Sequence, residues 1–200
     1  MSKIKICGLK RLEDIRYVNR YLPDYAGFVF AKSKRQIDIK TAATLRENMD
    51  NRIKSVGVFI NESLGNIELL CKEKIIELVQ LHGDEDSEYM QNLKDRTNCK
   101  IIKAVRVQQS LSLPESLQIA DYLLFDSGAG SGKTFDWNLI RGYKDKPYFL
   151  AGGINADNIC DAIKTLNPYC TDVSSGAETN GVKDEKKISK IISLVRGCKL

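Results

Sequence analysis

The chain has 200 residues, of which 42% are hydrophobic and 28% are charged, and its formal net charge is +5. These values are ordinary for a globular protein, and no apolar run approaches the roughly 18 residues that a membrane span needs. The amino-terminal stretch MSKIKICGLK has neither the apolar segment nor the cleavage site of a signal peptide. We therefore expect a cytoplasmic protein with no membrane partner.

The basic residues are spread evenly among 26 acidic ones, whereas nucleic-acid-binding proteins usually gather them on one face. The positive surplus favours an ordinary solvated surface, and we expect no nucleic-acid partner. Six cysteines are scattered without a C-x-x-C pair, and there is one histidine. This pattern predicts free thiols in a reducing compartment, and a zinc site would have to gather distant ligands. We expect no metal.

Short apolar segments rich in β-branched residues recur along the chain at a fairly regular interval. Each has the length and composition of a β-strand. The eight segments are residues 3–8, 25–31, 54–60, 78–83, 100–107, 122–127, 147–154 and 170–176.

Helix-like stretches lie between these strands, and the clearest are residues 11–22, 62–73, 156–166 and 184–197. The last stretch begins at an acidic and lysine-rich run and carries its bases late, as the helix dipole favours. Its apolar face consists of Ile188, Ile191, Ile192 and Val195. Residues 111–120 give the weakest helical signal because Pro114 lies inside them.

Eight alternations of strand and helix predict a parallel sheet with helices outside, and eight units close into a (β/α)₈ TIM barrel. A chain of 200 residues gives about 25 residues per unit, so the loops must be brief. An open, doubly wound sheet is the alternative, but the chain has no dinucleotide-binding fingerprint. We expect residues 1–200 to form a single barrel domain, as a monomer or a homodimer.

In this fold the functional residues lie at the carboxyl ends of the strands. Strands seven and eight end in LAGGIN and DVSSGAE. Glycines let the backbone approach a ligand closely, and backbone N–H groups at such ends bind phosphate. We predict a phosphate site here, with two ordinary tight turns as the alternative. Its candidate residues are Gly152, Gly153, Ser174, Ser175 and Gly176.

Two reactive side chains end other strands. Asp126 ends strand six, where an apolar barrel mouth should raise the pKa of its carboxyl group and suit it to act as a general acid. Its alternative roles are a helix cap or a salt bridge. Cys7 ends strand one, and to act as a base its thiol needs a pKa lowered towards neutrality. Most lone cysteines are buried apolar residues instead. Lys5 is a candidate for lowering the pKa of Cys7.

Two further residues are weaker candidates. His82 and Gln80 end strand four and are expected to line the pocket, although His82 could equally bond a neighbouring loop. Asp172 on strand eight could help to organise the site. We treat His82 and Asp172 as substrate-binding candidates.

The loop SGAGSGKT (127–134) contains the second half of a nucleotide-binding phosphate loop. Ser127 stands where such a loop requires its first glycine, and Asp136 is expected to cap a short helix rather than bind magnesium. We predict a mobile flap over the site, hinged by Gly128, Gly130 and Gly132. A plain solvent-exposed loop is the alternative.

The strand ends and the flap together resemble the phosphoribosylanthranilate isomerase family of tryptophan biosynthesis, over nearly the whole chain and in order. The matching motifs are K-I-C-G (5–8), G-F-V-F followed by Ser33 and Arg35, V-G-V-F (56–59), V-Q-L-H-G (79–83), L-L-F-D-S (123–127), G-K-T-F-D-W (132–137), L-A-G-G-I (150–154), D-V-S-S-G-A-E (172–178) and G-V-K-D (181–184). Many members have S-P-R where this chain has S-K-R, so Lys34 replaces a proline.

The resemblance implies an Amadori rearrangement that needs no cofactor and no metal. N-(5-phosphoribosyl)anthranilate would become 1-(2-carboxyphenylamino)-1-deoxyribulose 5-phosphate. By the family's pattern Asp126 is the general acid and Cys7 is the general base. Arg35 would hold the anthranilate carboxylate, and Gly153, Ser175 and Gly176 would hold the phosphate.

Three other functions compete. A histidine-pathway aminoaldose isomerase does the same chemistry, but its pattern has an aspartate where Cys7 stands. A sugar-phosphate epimerase would be expected to need metal ligands, which one histidine does not favour. A nucleotide-binding module would use the SGAGSGKT loop and would bind ATP.

Overall fold

The computed structural model describes residues 1–109, 111, 113–128 and 134–198, and within them eight parallel strands form a closed barrel. The strands follow chain order around the barrel, and the eighth pairs with the first to close it. They are β1 (Lys3–Cys7), β2 (Tyr25–Val29), β3 (Lys54–Phe59), β4 (Leu78–Leu81), β5 (Lys100–Arg106), β6 (Tyr122–Asp126), β7 (Tyr148–Leu150) and β8 (Cys170–Val173). The predicted (β/α)₈ barrel is confirmed.

The described residues form six α-helices, whose buried faces share an apolar core with the outer face of the barrel. The helices are α1 (Leu12–Tyr21), α2 (Ile39–Glu47), α3 (Leu64–Lys72), α4 (Ser87–Arg96), α5 (Ile159–Leu166) and α6 (Glu185–Gly197). Four of them match the stretches predicted from periodicity, whereas α2 and α4 were implied only by the alternation. No helix of the described chain is long and apolar enough to cross a membrane.

Among the described residues, short 3₁₀-helices lie in the segments that follow β5 and β6. The segment after β5 forms a 3₁₀-helix (Glu115–Ile119), and Pro114 stands directly before it. Proline has no N–H group, so it is tolerated at the start of a helix but not in its interior. After β6, a 3₁₀-helix (Trp137–Ile140) begins at Asp136, whose carboxylate accepts from the Asn138 N–H at 3.0 Å. The predicted cap at Asp136 is therefore confirmed.

The chain after β8 completes the barrel mouth. It contains a single-turn 3₁₀-helix (Ser175–Ala177) and a hairpin of β9 (Glu178–Thr179) and β10 (Val182–Lys183). Helix α6 follows and begins as predicted, because the Asp184 carboxylate accepts from the Lys187 N–H at 3.2 Å. The predicted apolar face of α6 is entirely buried.

Strand alternation separates an outer core from the barrel interior. Ile4 and Ile6 of β1 pack outward with the helices, whereas Lys5 and Cys7 point inward. A column of apolar side chains fills the interior, namely Tyr25, Val56, Leu78, Ile102, Tyr122, Leu124, Phe149, Ala151 and Cys170. Strand β7 is shorter than predicted because Gly152 (φ 80°) and Gly153 (φ 67°) turn the chain out of extended geometry.

Candidate active site

A cavity of about 790 Å³ opens at the carboxyl ends of the barrel strands. Its wall includes nearly all of the residues that the sequence predicts to be catalytic or substrate-binding, namely Cys7, Arg35, His82, Asp126, Gly152, Gly153, Asp172, Ser174 and Ser175. The exception is Gly176, which packs behind the wall, where a Cβ would overlap the Ile154 carbonyl oxygen. The flap glycines Gly130 and Gly132 lie outside the described residues.

Cys7 ends β1 with its thiol buried against β2. Its register partner is Gly27, and a Cβ there would lie 2.7 Å from the Cys7 Sγ atom, so glycine leaves the room that the thiol occupies. Burial raises the pKa of the Cys7 thiol, although the ammonium groups of Lys5 and Lys183 oppose this rise. The predicted lowering is therefore wrong for the free protein, because desolvation outweighs the nearby cations.

Lys5 lies inside the barrel and is fully buried. Its ammonium group donates to the Gln80 side-chain oxygen at 2.7 Å and to Asp172 Oδ2 at 2.8 Å. Burial opposes its charge, but the carboxylate of Asp172 and the thiol of Cys7 raise the pKa of Lys5 well above its usual value. Because Asp172 neutralises Lys5, this cation does less for the Cys7 thiolate than the sequence suggested.

Asp126 ends β6 and is held on both of its carboxylate oxygens. Oδ1 accepts from the Gly128 N–H at 3.1 Å and from the Ser127 hydroxyl at 3.4 Å, while Oδ2 lies 3.4 Å from His82 Nε2. Burial raises the pKa of Asp126, but the hydrogen bonds from His82, Gly128 and Ser127 outweigh it and leave a net lowering. The predicted raised pKa is therefore wrong for the free protein.

His82 follows β4 and lies between two side chains. Its Nε2 atom faces Asp126, and its Nδ1 atom lies 3.4 Å from the Gln80 Nε2 atom. The loop that carries it is pinned from outside by Lys103, which donates to the Gly83 carbonyl at 2.6 Å and to Glu85 at 2.7 Å. These bonds hold the backbone next to His82, whose ring faces Asp126.

The turn after β7 is shaped to approach Asp126. A Cβ at Gly152 would lie 2.9 Å from Asp126 Oδ1 and 2.7 Å from the Ser127 hydroxyl. The next residue, Gly153, has its carbonyl held by the Asn158 side-chain amide at 3.0 Å. Glycine at position 152 therefore allows the turn and also leaves room for the Asp126 carboxylate. The motif alone indicated only the turn.

The turn after β8 lies next to Cys7. The Ser174 hydroxyl donates to the Cys7 carbonyl at 3.1 Å, and the Lys183 ammonium group donates to the Ser174 carbonyl at 3.0 Å. Ser175, on the cavity wall, then begins the short 3₁₀-helix. These contacts join the candidate phosphate loop to the strand that carries the thiol.

Arg35 lies on the cavity wall, but one edge of its guanidinium is engaged. Its Nε and Nη2 atoms donate to the two carboxylate oxygens of Glu178 at 2.7 and 2.8 Å. Lys183 donates to the same carboxylate at 2.7 Å. Although burial opposes ionisation, these two cations lower the pKa of Glu178 to about 2. The cluster of Arg35, Glu178 and Lys183 carries one net positive charge beside the cavity.

Gln80 lines the cavity as predicted, but its bond to Lys5 was not foreseen. Glu178 and Lys183 were not proposed as site residues and appeared only inside the motifs DVSSGAE and GVKD. Lys5 and Arg35, which bond to Gln80 and Glu178, lie far away in the chain, so no local spacing marks these contacts. Within the described residues, no group of three or more His, Cys, Asp or Glu side chains could hold a metal ion.

Comparison with known proteins agrees with this geometry. The family model for N-(5'-phosphoribosyl)anthranilate (PRA) isomerase matches residues 4–194. An N-(5'-phosphoribosyl)anthranilate isomerase of Endomicrobium trichonymphae is 52% identical over 201 residues, covering 98% of this chain and 99% of its own.

Solved structures agree as well. The phosphoribosyl anthranilate isomerase of Thermotoga maritima is 36% identical, with a TM-score of 0.84 and coverage of 98% of this chain and 100% of its own. A phosphoribosyl anthranilate isomerase in complex with reduced 1-(o-carboxyphenylamino)-1-deoxyribulose 5-phosphate is 34% identical, with a TM-score of 0.82 and the same coverage. The family match and the near full-length identity together place the chain in the N-(5'-phosphoribosyl)anthranilate isomerase family.

Proposed function

We propose that this chain converts N-(5-phosphoribosyl)anthranilate to 1-(2-carboxyphenylamino)-1-deoxyribulose 5-phosphate, with Asp126 as the general acid and Cys7 as the general base. One observation carries the action of these two groups on a single substrate. In the closed barrel, β7 and β8 lie between β6 and β1. The glycine-rich phosphate loops therefore stand between the carboxyl group and the thiol, so a sugar phosphate held there has one reactive group on each side.

The first step in this proposal opens the ribose ring. Asp126 donates its proton to the ring oxygen, the bond from that oxygen to C1 breaks, and the anthranilate nitrogen supplies the electron pair that forms the Schiff base. The acid must be protonated for this step, although hydrogen bonds keep the pKa of Asp126 low in the free protein. A bound phosphate and carboxylate add negative charge nearby, which favours the protonated carboxyl group.

In the second step Cys7 removes the proton from C2 of the ribose. The electron pair moves to the Schiff base and forms an enolamine. This step needs the thiolate, whereas burial favours the thiol in the free protein. The enolamine then becomes the ketone as C1 gains a proton and the C2 hydroxyl loses one. The two catalytic groups together neither gain nor lose a proton over the whole cycle.

The resting and productive protonation states then differ only by the position of one proton. Moving it from the Cys7 thiol to the Asp126 carboxylate creates the base and the acid at once. Because both states hold the same number of protons, their ratio does not depend on pH between the two pKa values. The opposed pKa shifts are compatible with catalysis over a broad pH plateau, in which a minor fraction of the enzyme is active.

Substrate binding in this proposal uses the cavity-wall residues Gly153, Ser175 and Arg35, together with the backbone of Gly176 behind the wall. Gly153, Ser175 and Gly176 bind the phosphate through the turns after β7 and β8. Arg35 binds the anthranilate carboxylate through the edge of its guanidinium that Glu178 does not occupy, since arginine has five N–H donors and Glu178 takes two.

The deciding experiment follows the fluorescence of freshly prepared phosphoribosylanthranilate in the presence of EDTA. We expect wild-type protein to consume the substrate rapidly and Asp126→Asn to lose at least ~10³-fold in kcat. This result would support the substrate, independence from free metal ions and the acid together. No decay with folded wild-type protein would refute the proposed reaction, and a loss below about tenfold for Asp126→Asn would refute its role.

A further inference from the structure

A file of hydrogen-bonding side chains crosses the barrel interior from the neighbourhood of Cys7 to Asp126. Lys5 donates to Gln80 Oε1 at 2.7 Å, Gln80 Nε2 lies 3.4 Å from His82 Nδ1, and His82 Nε2 lies 3.4 Å from Asp126 Oδ2. The proposed reaction uses only Asp126, at one end of this file. Gln80, at its centre, is 2% exposed and has no catalytic role in the steps above.

Lys5 determines which way the Gln80 amide faces. An ammonium group has donors and no acceptor, so it must meet the amide oxygen and not the amide nitrogen. Lys5 is itself held in place by Asp172 and is fully buried. The amide NH₂ group is thereby turned towards His82.

The amide in turn determines which ring nitrogen of His82 carries a hydrogen. An NH₂ group can only donate, so Nδ1 must accept and must be unprotonated. A neutral imidazole then carries its hydrogen on Nε2, the atom that faces the Asp126 carboxylate.

We infer that Gln80 is a positioning residue that fixes His82 as the Nε2–H tautomer and so keeps a hydrogen-bond donor on Asp126. The consequence for catalysis rests on the proposed function, whereas the tautomer itself does not. A hydrogen-bond donor on the carboxylate favours its ionised form. Through His82, Gln80 therefore lowers the fraction of Asp126 that is protonated and able to act as the acid.

The surroundings of Asp126 single out His82 as the group through which this effect acts. Arg106 reaches the cavity from β5 as the register partner of Asp126, and Gly152 reaches it from β7 without a side chain. Among the described residues, His82 is the charged or titratable side chain within 4 Å of the carboxylate. In the described part of the chain, the other hydrogen bonds to this carboxylate come from Ser127 and Gly128 in its own loop.

The chain's single histidine makes a direct test possible. Tag-free protein labelled with ¹⁵N-histidine gives signals from one imidazole only, and couplings to the ring protons distinguish Nδ1 from Nε2. At about pH 8, where an ordinary imidazole is neutral, we expect wild-type protein to show a protonated Nε2 and an unprotonated Nδ1. A protonated Nδ1 under these conditions would overturn the inference.

Two substitutions at Gln80 change the pattern in different ways. Gln80→Glu keeps an acceptor for Lys5 but offers His82 a second carboxylate, so both ring nitrogens should hold protons at about pH 8. Gln80→Met removes the donor and should allow both neutral tautomers. Spectra identical to wild type in both variants would overturn the inference.

Gln36 supplies matched controls. It lies near the barrel mouth, and its amide donates to the Phe30 carbonyl at 2.8 Å, away from this file. Gln36→Glu and Gln36→Met make the same chemical changes and should leave the His82 signals as in wild type. A change of the same size in these controls would show a general charge effect and would overturn the specific role of Gln80.

A kinetic measurement connects the tautomer to the reaction. Losing the His82 donor should raise the pKa of Asp126, so kcat/KM of Gln80→Met should begin to fall at a higher pH on acidification than that of wild type or Gln36→Met. Superimposed profiles would refute the catalytic consequence. If wild-type protein does not convert phosphoribosylanthranilate, the proposed function fails, and the NMR experiment still decides the tautomer.

Discussion

At the amino-terminal end of the barrel, aromatic rings fill the interior, whereas at the carboxyl end buried charged groups surround an open cavity. The amino-terminal end contains Tyr25, Tyr122, Phe149 and Tyr169, and the centroids of neighbouring rings lie 5.0 to 5.8 Å apart. The Tyr169 hydroxyl meets the Tyr25 hydroxyl at 3.0 Å and accepts from Lys3 at 3.0 Å. The polar atoms at this end therefore bond within the packed interior, and we call the four aromatic residues the plug.

At the carboxyl end of the barrel, buried charged groups are paired as well, but the pairs lie beside the cavity. Asp172 neutralises Lys5, and Glu178 joins Arg35 to Lys183, yet both sets stand on or next to the cavity wall. Substitutions at the plug should therefore reduce stability, whereas substitutions at the mouth should reduce reactivity. Three measurements test this separation.

The largest expected effect is on catalysis at the mouth. Replacing Cys7 by alanine removes the proposed base and should lower kcat by at least ~10³-fold while leaving the thermal unfolding midpoint nearly unchanged. Cys170→Ala is the matched control, because Cys170 is a buried interior cysteine at the plug end of β8. A loss in kcat below about tenfold for Cys7→Ala, or an equal loss for Cys170→Ala, would contradict the separation of reactivity at the mouth from stability at the plug.

The next effect is on stability at the plug. Phe149→Ala opens a cavity among the aromatic rings and should lower the free energy of unfolding in urea by about 3–5 kcal/mol. The kcat of the folded fraction should stay near that of wild type, since Phe149 is not on the cavity wall. A large fall in kcat with little loss of stability would show that the plug also controls the reacting groups.

The smallest effect concerns Glu178, a mouth residue that we expect to contribute to stability as well. Its pKa falls from 4.5 to about 2 on folding, so the stabilisation is fully present above about pH 4.5 and is lost as the pH falls towards 2. Glu178→Gln should lower the unfolding free energy by roughly 2–3 kcal/mol at neutral pH. Urea unfolding at several pH values should show this difference shrinking between about pH 4.5 and about pH 2.

Glu185→Gln is the matched control for that measurement. Glu185 pairs with Arg20 at 2.6 Å, but the arginine side chain is 68% exposed. An exposed pair of this kind contributes about 0–1 kcal/mol, so its loss should be small and should give little pH dependence. A difference for Glu178→Gln that does not change with pH would contradict the role of its ionised form.

Local sequence signals were sufficient for the strands and for the residues at their ends. β-branched runs placed all eight strands, and position at a strand end placed Cys7 and Asp126 on one cavity. The pKa directions could not be obtained in this way, because they depend on burial and on partners from other strands. Arg35 and Glu178, for example, are 143 residues apart in the chain. The predicted flap at Gly130 and Gly132 stays a prediction.

The pairing of β8 with β1 also determines when the site can exist during synthesis. Cys7 leaves the ribosome well before its neighbours Asp172, Ser174 and Lys183, which follow it much later in the chain. Until β8 docks against β1, the thiol lacks these neighbours and the barrel has two open edges. A nascent chain that stops before β8 would therefore expose a cysteine and unpaired strand edges at the same seam.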